Sequence, residues 1–251
     1  MIDALYVAAT GMLAQQTSMD VVAQNLANTT TTGYKRTRME LTDVGYQSFQ
    51  LPSGAQGQIG LGSAAGAFGR EMGQGQVQDT GRDLDVLIDG EGFLQVTRAD
   101  GSLAYTRAGG LQLDAEGRLC TASGELLQPR VQIPAGATGI TIAGDGAVSA
   151  TVNGQVQEVG RIQTATFTNP AGLAAAGDSL YTATVNSGTA QLGAPGSEAR
   201  GTLMQGKLEG SNVQIATEMI DMIFAQRAFE AASKVVSASD EMLGMANGLR
   251  R

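Results

Sequence analysis

The sequence predicts an α+β fold: N- and C-terminal α-helices pairing as a coiled-coil layer, with a mainly antiparallel β-domain between them. Three observations predict it. Apolar residues step by three and four near both ends of the chain. Xaa-Gly turn pairs punctuate the middle. The composition, 35 glycines with only 4% aromatics, describes a turn-rich β region rather than a compact aromatic core. At 251 residues the chain has room for one large domain or two modest ones. The expected boundaries are an N-terminal assembly helix over 1–32, a linker or small extended intermediate domain over 33–70, a β-rich outer domain over 71–206 and a C-terminal assembly helix over 207–251.

The first helix has Asp3 as its expected N-cap and reaches about Asn28. Leu5, Ala8, Met12, Met19, Val22 and Leu26 fall on one heptad seam once Gln15 is counted as its polar member. The second helix is expected from about Val213 to Asn247, capped by Ser211 or Asn212. There Met222, Ala225, Phe229, Ala232, Val236, Ser239, Leu243 and Ala246 repeat the spacing. At 1.5 Å per residue the two helices would be about 39 and 52 Å long. Gly11 and Gly244 weaken them slightly. Seams of Ala, Met and Ser suit close packing with modest burial, so the ends must meet each other or neighbouring molecules. Self-association, with folding of the ends coupled to assembly, follows as an expectation.

Between the helices, turn signals stand at Asp89-Gly90, Asp100-Gly101, Glu116-Gly117, Ser123-Gly124, Asp145-Gly146 and Asn153-Gly154. The β-rich stretches separating them predict an antiparallel sandwich or barrel. Residues 45–75 are rich in Gly, Ser, Gln and Ala and predict an extended linker or loosely paired β structure. Upstream of it, NLANTTTTGYKR ends the first helix: β-branched threonines are poor helix formers, and Gly33 permits a turn. Tyr34 is expected to pack beneath that turn while Lys35 and Arg36 reach outward to acids of a neighbouring molecule.

Several function classes are excluded or disfavoured. A net charge of −8, with Lys35, Arg36 and Arg38 as the only basic cluster, argues against nucleic acid. Without histidine the chain cannot build a Ser–His–Asp or Cys–His catalytic set. Cys120 is a lone cysteine in an alternating stretch, expected to be a small packed residue. The densest acids, Asp83, Asp85, Asp89 and Glu91, leave open a carboxylate-dependent wall hydrolase or a calcium-binding β-domain. However, Ile88 and Leu94 occupy the sixth and twelfth positions that an EF-hand fills with Gly and Glu. The alternation instead predicts a half-buried strand with wet-face acids, entering a hairpin at Asp89-Gly90. No catalytic, cofactor or metal site is therefore expected. No 18-residue apolar run occurs, and residues 1–34 hold no Lys or Arg, so direct membrane insertion is not expected. The N-terminus lacks a basic n-region and any clear cleavage site, so no cleaved signal peptide is expected and any export would need another route.

These residues carry a resemblance. ALYVAATGMLAQQTSMDVVAQNLANTTTTGYKR resembles the amino end of bacterial flagellar rod and hook proteins, whose signature NxANxxTxGYKR is met by Asn25, Ala27, Asn28, Thr31, Gly33, Tyr34, Lys35 and Arg36. GKLEGSNVQIATEMIDMIFAQRAFEAASKVVSASDEML looks like the matching carboxyl end, and DLDVLIDGEGFLQV and AYTRAGGLQLDAEGRLCTASGELLQP resemble the family's β strands. Within the family, ATGM.AQQ, VGYQ and LPSG…IG.G are similar to the distal rod branch. Only Ser48, Phe49 and Gln50 separate Tyr46-Gln47 from Leu51, a shortened insertion that leaves the proximal rod branch open.

The resemblance implies a structural subunit of the basal-body rod that forms a helical tube, transmits torque and encloses an export channel. Its partners would be further copies of itself, neighbouring rod proteins, the hook protein and the surrounding P- and L-ring bushing, with a location spanning the periplasm. The expected assembly interface is Leu5, Met12, Met19, Val22, Leu26, Asn28, Gly33, Tyr34, Lys35, Arg36, Met222, Phe229, Val236 and Leu243.

Overall fold

The computed structural model describes residues 2–50, 56–197 and 200–248. They form two compact units: 2–27 with 37–50, 56–70 and 214–248, and 28–36 with 71–197 and 200–213. Two terminal helices flank a mostly antiparallel β region, the α+β class expected from the sequence.

In the first unit, α1 is Ile2–Ala27 and α2 is Ile215–Gly248. Helix α1 starts at Ile2, one residue before the expected cap Asp3, whose side chain lies outside the described residues. The two helices pack on each other. Asn25, near the end of α1, bonds Glu218, near the start of α2, so the pair is antiparallel. The heptad seams are the covered faces. Ala8, Val22, Ala225 and Ser239 are buried, and Leu5, Met12, Gln15, Met19, Leu26, Met222, Phe229, Ala232, Val236 and Leu243 are partly buried. Of the two alternatives left by the sequence, the ends therefore meet each other within the chain.

Residues 37–50 and 56–70 of the same unit form paired strands: β1 (Thr37–Asp43), β2 (Tyr46–Gln50), β3 (Gln56–Gly60) and β4 (Ser63–Arg70). Strand β1 pairs antiparallel with β4, from Thr37↔Arg70 to Asp43↔Ser63. Strand β2 pairs with β3, from Tyr46↔Gly60 to Gln50↔Gln56. Val44 N–H donates to Gly62 O at 3.0 Å and Leu61 N–H to Gly45 O at 2.9 Å, joining the two ladders. Helix α1 packs on β1 and β4, while β2 is exposed along its whole length.

The second unit carries β5 (Val77–Asp79), β6 (Val86–Asp89), β7 (Phe93–Thr97), β8 (Leu103–Thr106), β9 (Leu111–Leu113), β10 (Leu119–Thr121) and β11 (Leu126–Gln128). Next come β12 (Gly139–Ile142), β13 (Ala147–Val152), β14 (Gln155–Arg161), β15 (Thr164–Thr166), β16 (Ala174–Gly177) and β17 (Leu180–Thr182). The last three are β18 (Gln191–Gly193), β19 (Thr202–Gln205) and β20 (Lys207–Glu209). The main sheet has the order β16-β17-β8-β7-β11-β10-β9, with β15 joining β7 to β18. Strands β12-β13-β14 form a meander, and β19-β6 and β20-β5 are two-stranded ladders. Five of the six Xaa-Gly turn signals lie between consecutive antiparallel partners.

Asp89-Gly90 is the exception. Strand β6 pairs with β19, more than a hundred residues on, and not with β7. Nor is β6 half-buried. Val86, Leu87 and Ile88 are all covered, because the strand sits inside the unit rather than on its face. Asp85 corrects the wet-face reading further: it is fully buried, Arg82 Nη1 stands 3.7 Å away, and its carboxylate oxygens accept no hydrogen bond from the described residues. Asp83 and Asp89 are exposed. The main apolar core gathers Val86, Leu94, Val96, Leu111, Leu127 and Val148 among others. A second cluster holds Phe93, Tyr105, Phe167 and Tyr181 in edge-to-face contacts, so the few aromatics do build a small aromatic core. Cys120 is buried in β10, and burial raises its thiol pKa.

Candidate assembly site

The residues carrying the terminal motifs are partners of one another. In the second unit, Thr31 N–H donates to Asn28 O at 3.2 Å and the turn closes at Gly33, whose φ is +68°. An added Cβ there would stand 2.6 Å from the Ala108 nitrogen, so the position demands glycine on both counts. The turn lets Gly33 N–H donate to Glu209 O at 2.8 Å and drives Lys35 inward.

Lys35 is 1% exposed, and its Nζ donates to Glu209 Oε1 at 2.5 Å and to Gly73 O at 2.7 Å. Glu209 Oε1 also accepts the Gly75 N–H at 2.9 Å, while Oε2 accepts Arg107 Nη1 at 3.2 Å. Arg107 in turn donates Nη2 to Gly90 O at 2.8 Å and lies 5.3 Å from the Phe93 ring centroid. One carboxylate thus holds two buried cations. Burial lowers the pKa of Lys35, and the Glu209 carboxylate works against that shift.

The expectation that Lys35 reaches outward to a neighbour's acid is therefore corrected: the partner acid is in the same chain, on β20. The sealed ammonium ties residues 33–36 to β20 and to Gly73. Arg36 also pairs inside the chain, Nη1 donating to Glu71 Oε1 at 3.2 Å. Asn212 is occupied in the same way rather than as a helix cap. Its Oδ1 accepts Arg36 N–H at 2.7 Å, and its Nδ2 donates to Glu71 O at 2.7 Å and to Gly73 O at 3.2 Å. Glu209 and Asn212 thus bind residues 33–36 and 71–75 into one knot. Tyr34 is partly buried beside it.

A second clasp lies in the first unit. The Asn25 side chain acts as a rung of β ladder against Thr37: its Oδ1 accepts the Thr37 N–H and its Nδ2 donates to Thr37 O, each at 2.9 Å. The same Nδ2 donates to Glu218 Oε2 at 3.1 Å, and both side chains are buried. The start of β1, the end of α1 and the first turn of α2 are thereby held together. Sequence reading placed neither Glu209 nor Glu218 in a site. The available signal was their position inside the carboxyl-terminal motif, opposite the only buried polar residues of the amino-terminal one.

With the seams spent within the chain, a different face of α2 is left bare. Ile215, Met219, Ile220, Ile223 and Phe224 are exposed, Phe224 to 70%. On α1, Tyr6 and Leu13 are exposed, Leu13 to 64%. The run MIDMIF, apolar on both sides of the seam, is the sequence signal for a helix with more than one partner.

Three family models match the chain. The flagella basal body rod protein model matches residues 5–35, the flagellar hook protein FlgE/F/G D1 domain 87–150, and the flagellar basal body rod FlgEFG protein C-terminal model 204–249. The chain is 42% identical over 266 residues to the flagellar basal-body rod protein FlgG of Borreliella burgdorferi, covering 100% of both chains. It is 38% identical over 265 residues to the FlgG of Bacillus subtilis, again covering 100% of both. Against the FlgF of Escherichia coli it is 35% identical over 237 residues, covering 91% of this chain and 90% of the relative.

Proposed function

The chain belongs to the flagellar basal-body rod protein family, in the distal-rod branch that its FlgG relatives define, and on that premise we propose how it works in the basal body. It is a structural subunit and not an enzyme. It assembles with further copies of itself and with neighbouring rod and hook proteins. The tube encloses the export channel, spans the periplasm within the P- and L-ring bushing and carries torque. The α1–α2 pair supplies its inner, channel-side layer. The subunit reaches this place unfolded, through the flagellar export apparatus rather than by a cleaved signal peptide, and its ends complete their folding on assembly.

The observation that carries this reading is the pairing of the two terminal motifs, Lys35 with Glu209 and Asn25 with Glu218. A torque-bearing subunit needs chain ends fixed to each other, because a loose joint would absorb rotation instead of passing it on. A buried charge pair such as Lys35–Glu209 and a buried hydrogen bond such as Asn25–Glu218 serve that purpose: once removed from water, their groups tolerate few alternative partners. Seam residues Leu5, Met12, Met19, Val22, Leu26, Met222, Phe229, Val236 and Leu243 contribute indirectly, by building the helix pair whose outer faces meet other subunits. The knot residues Asn28, Gly33, Tyr34, Lys35 and Arg36 set the joint. Expression of the chain in a cell lacking its own distal rod gene tests the reading. Restored rods and swimming support it, and basal bodies that stop short of the distal rod would count against it.

A further inference from the structure

We infer that the bare face of α2 receives the bare edge of α1 from a second copy of this chain, Leu13 of one copy seating on Ile220 and Phe224 of the next. The inference rests on the rod-subunit reading and adds the contact that builds the polymer. Five large apolar residues within ten positions of α2 leave on the order of 500 Å² of apolar surface in water, near the upper end of what a monomer exposes without a partner. That area is below the ~800 Å² per partner of a standard stable complex. Such a contact is weak in a single pair and holds when many copies repeat it, as suits a subunit that travels alone and then polymerises.

Spacing selects the partner edge. Tyr6 and Leu13 lie seven residues apart on α1, as Ile220 and Arg227 do on α2. A second α1 laid antiparallel on this face sets Leu13 over Ile220 and Phe224 and brings the Tyr6 ring to Arg227, a cation–π pairing. Arg227 is available for it, being 75% exposed and, among the described residues, paired with Glu230 one turn on. Between Tyr6 and Leu13, where the contact forms, α1 carries no charged residue, so no like charge faces this stretch of α2. Within a single chain, Asn25 lies beside Glu218, which places Ile220 opposite residue 23 or so. Leu13 of the same chain is then ten positions away, about 15 Å along the helix. The contact must therefore come from another copy, displaced along the axis. Two different patches are joined, so the contact is heterologous, and its displacement along the axis lets each added copy present both patches again in a helix rather than close a ring.

The test replaces Leu13 and Ile220 by cysteine in a Cys120→Ala background, assembles the full chain and oxidises it. The inference predicts a ladder of disulfide-linked oligomers that requires both cysteines and disappears when the material is kept below its assembly concentration. In parallel, Phe224→Asp is expected to keep the helicity of the unmodified monomer while lowering polymer yield at least tenfold. Polymers that form normally with no 13–220 crosslink, or a Phe224→Asp chain that polymerises like the parent, would overturn the contact and leave the rod reading standing. An unmodified chain that neither polymerises nor restores rods would overturn both.

Discussion

Lys35 Nζ stands 2.5 Å from Glu209 Oε1, and neither side chain is more than 1% exposed to solvent. The pair joins residues 174 positions apart, one from each terminal motif. Because Glu209 also holds Arg107, the two ends of the pair are not equivalent. Glu209→Gln leaves two buried cations without a counterion and is expected to cost about 3–5 kcal/mol of unfolding free energy. Lys35→Met leaves Glu209 still paired to Arg107 and should cost less. Urea unfolding of the three proteins checks the order, and an equal or reversed ranking would contradict the shared-carboxylate geometry.

The same lysine gives a pH dependence of definite sign. Its pKa is lowered in the fold, chiefly by burial, from the ordinary value of 10.5. Between the lowered value and 10.5 the unfolded chain binds more proton than the folded one, so this group's contribution to stability rises with pH there. Below that window the cost of the desolvated charge is present in full. The stability difference between the parent protein and Lys35→Met, followed by urea midpoint from pH 8 to 10.5, should shift in the parent's favour as pH rises. A shift the other way would mean that pairing with Glu209 outweighs burial.

Asn25 fills both hydrogen-bonding groups of Thr37 while touching Glu218. Asn25→Ala strands two buried backbone groups and should cost about 2–3 kcal/mol. Asn25→Asp keeps the acceptor but sets a carboxylate against Glu218, so it should be worse at neutral pH and recover as pH falls and one acid protonates. Thermal unfolding at pH 7 and pH 4.5 distinguishes the two variants. An Asp variant indifferent to pH would contradict the contact.

Gly33→Ala is expected to destabilise the second unit by about 2–4 kcal/mol, combining a left-handed backbone with a forced contact against main chain. Gly11→Ala, in mid-helix with nothing within 4 Å of the added carbon, should instead stabilise by up to about 1 kcal/mol. Chemical denaturation of both variants gives the contrast directly.

What the sequence made legible was local. Steps of three and four put Leu5 through Leu26 on one face whatever the tertiary fold, and Xaa-Gly pairs close hairpins between neighbouring strands, as at Asp100-Gly101 and Asn153-Gly154. Relations across the whole chain were not. Nothing near Lys35 indicates that its counterion lies on β20, and a basic residue after a turn ordinarily points to water. Asp89-Gly90 carries the same turn signal as its neighbours, yet Asp89 pairs with Thr202, because β6 belongs to an interior ladder that only the folded topology defines. Burial of Asp85 escaped the alternation rule for the same reason: a strand covered on both faces has no wet side.

The most direct measurement of the central claim is electron cryomicroscopy of rods assembled from this chain in a cell lacking its own distal rod subunit. The account predicts a continuous helical tube in which α1 and α2 of each pair belong to one chain, with density joining Lys35 to Glu209 in every subunit. Rods that fail to form, or a tube in which α1 of one chain pairs along its seam with α2 of another, would contradict it.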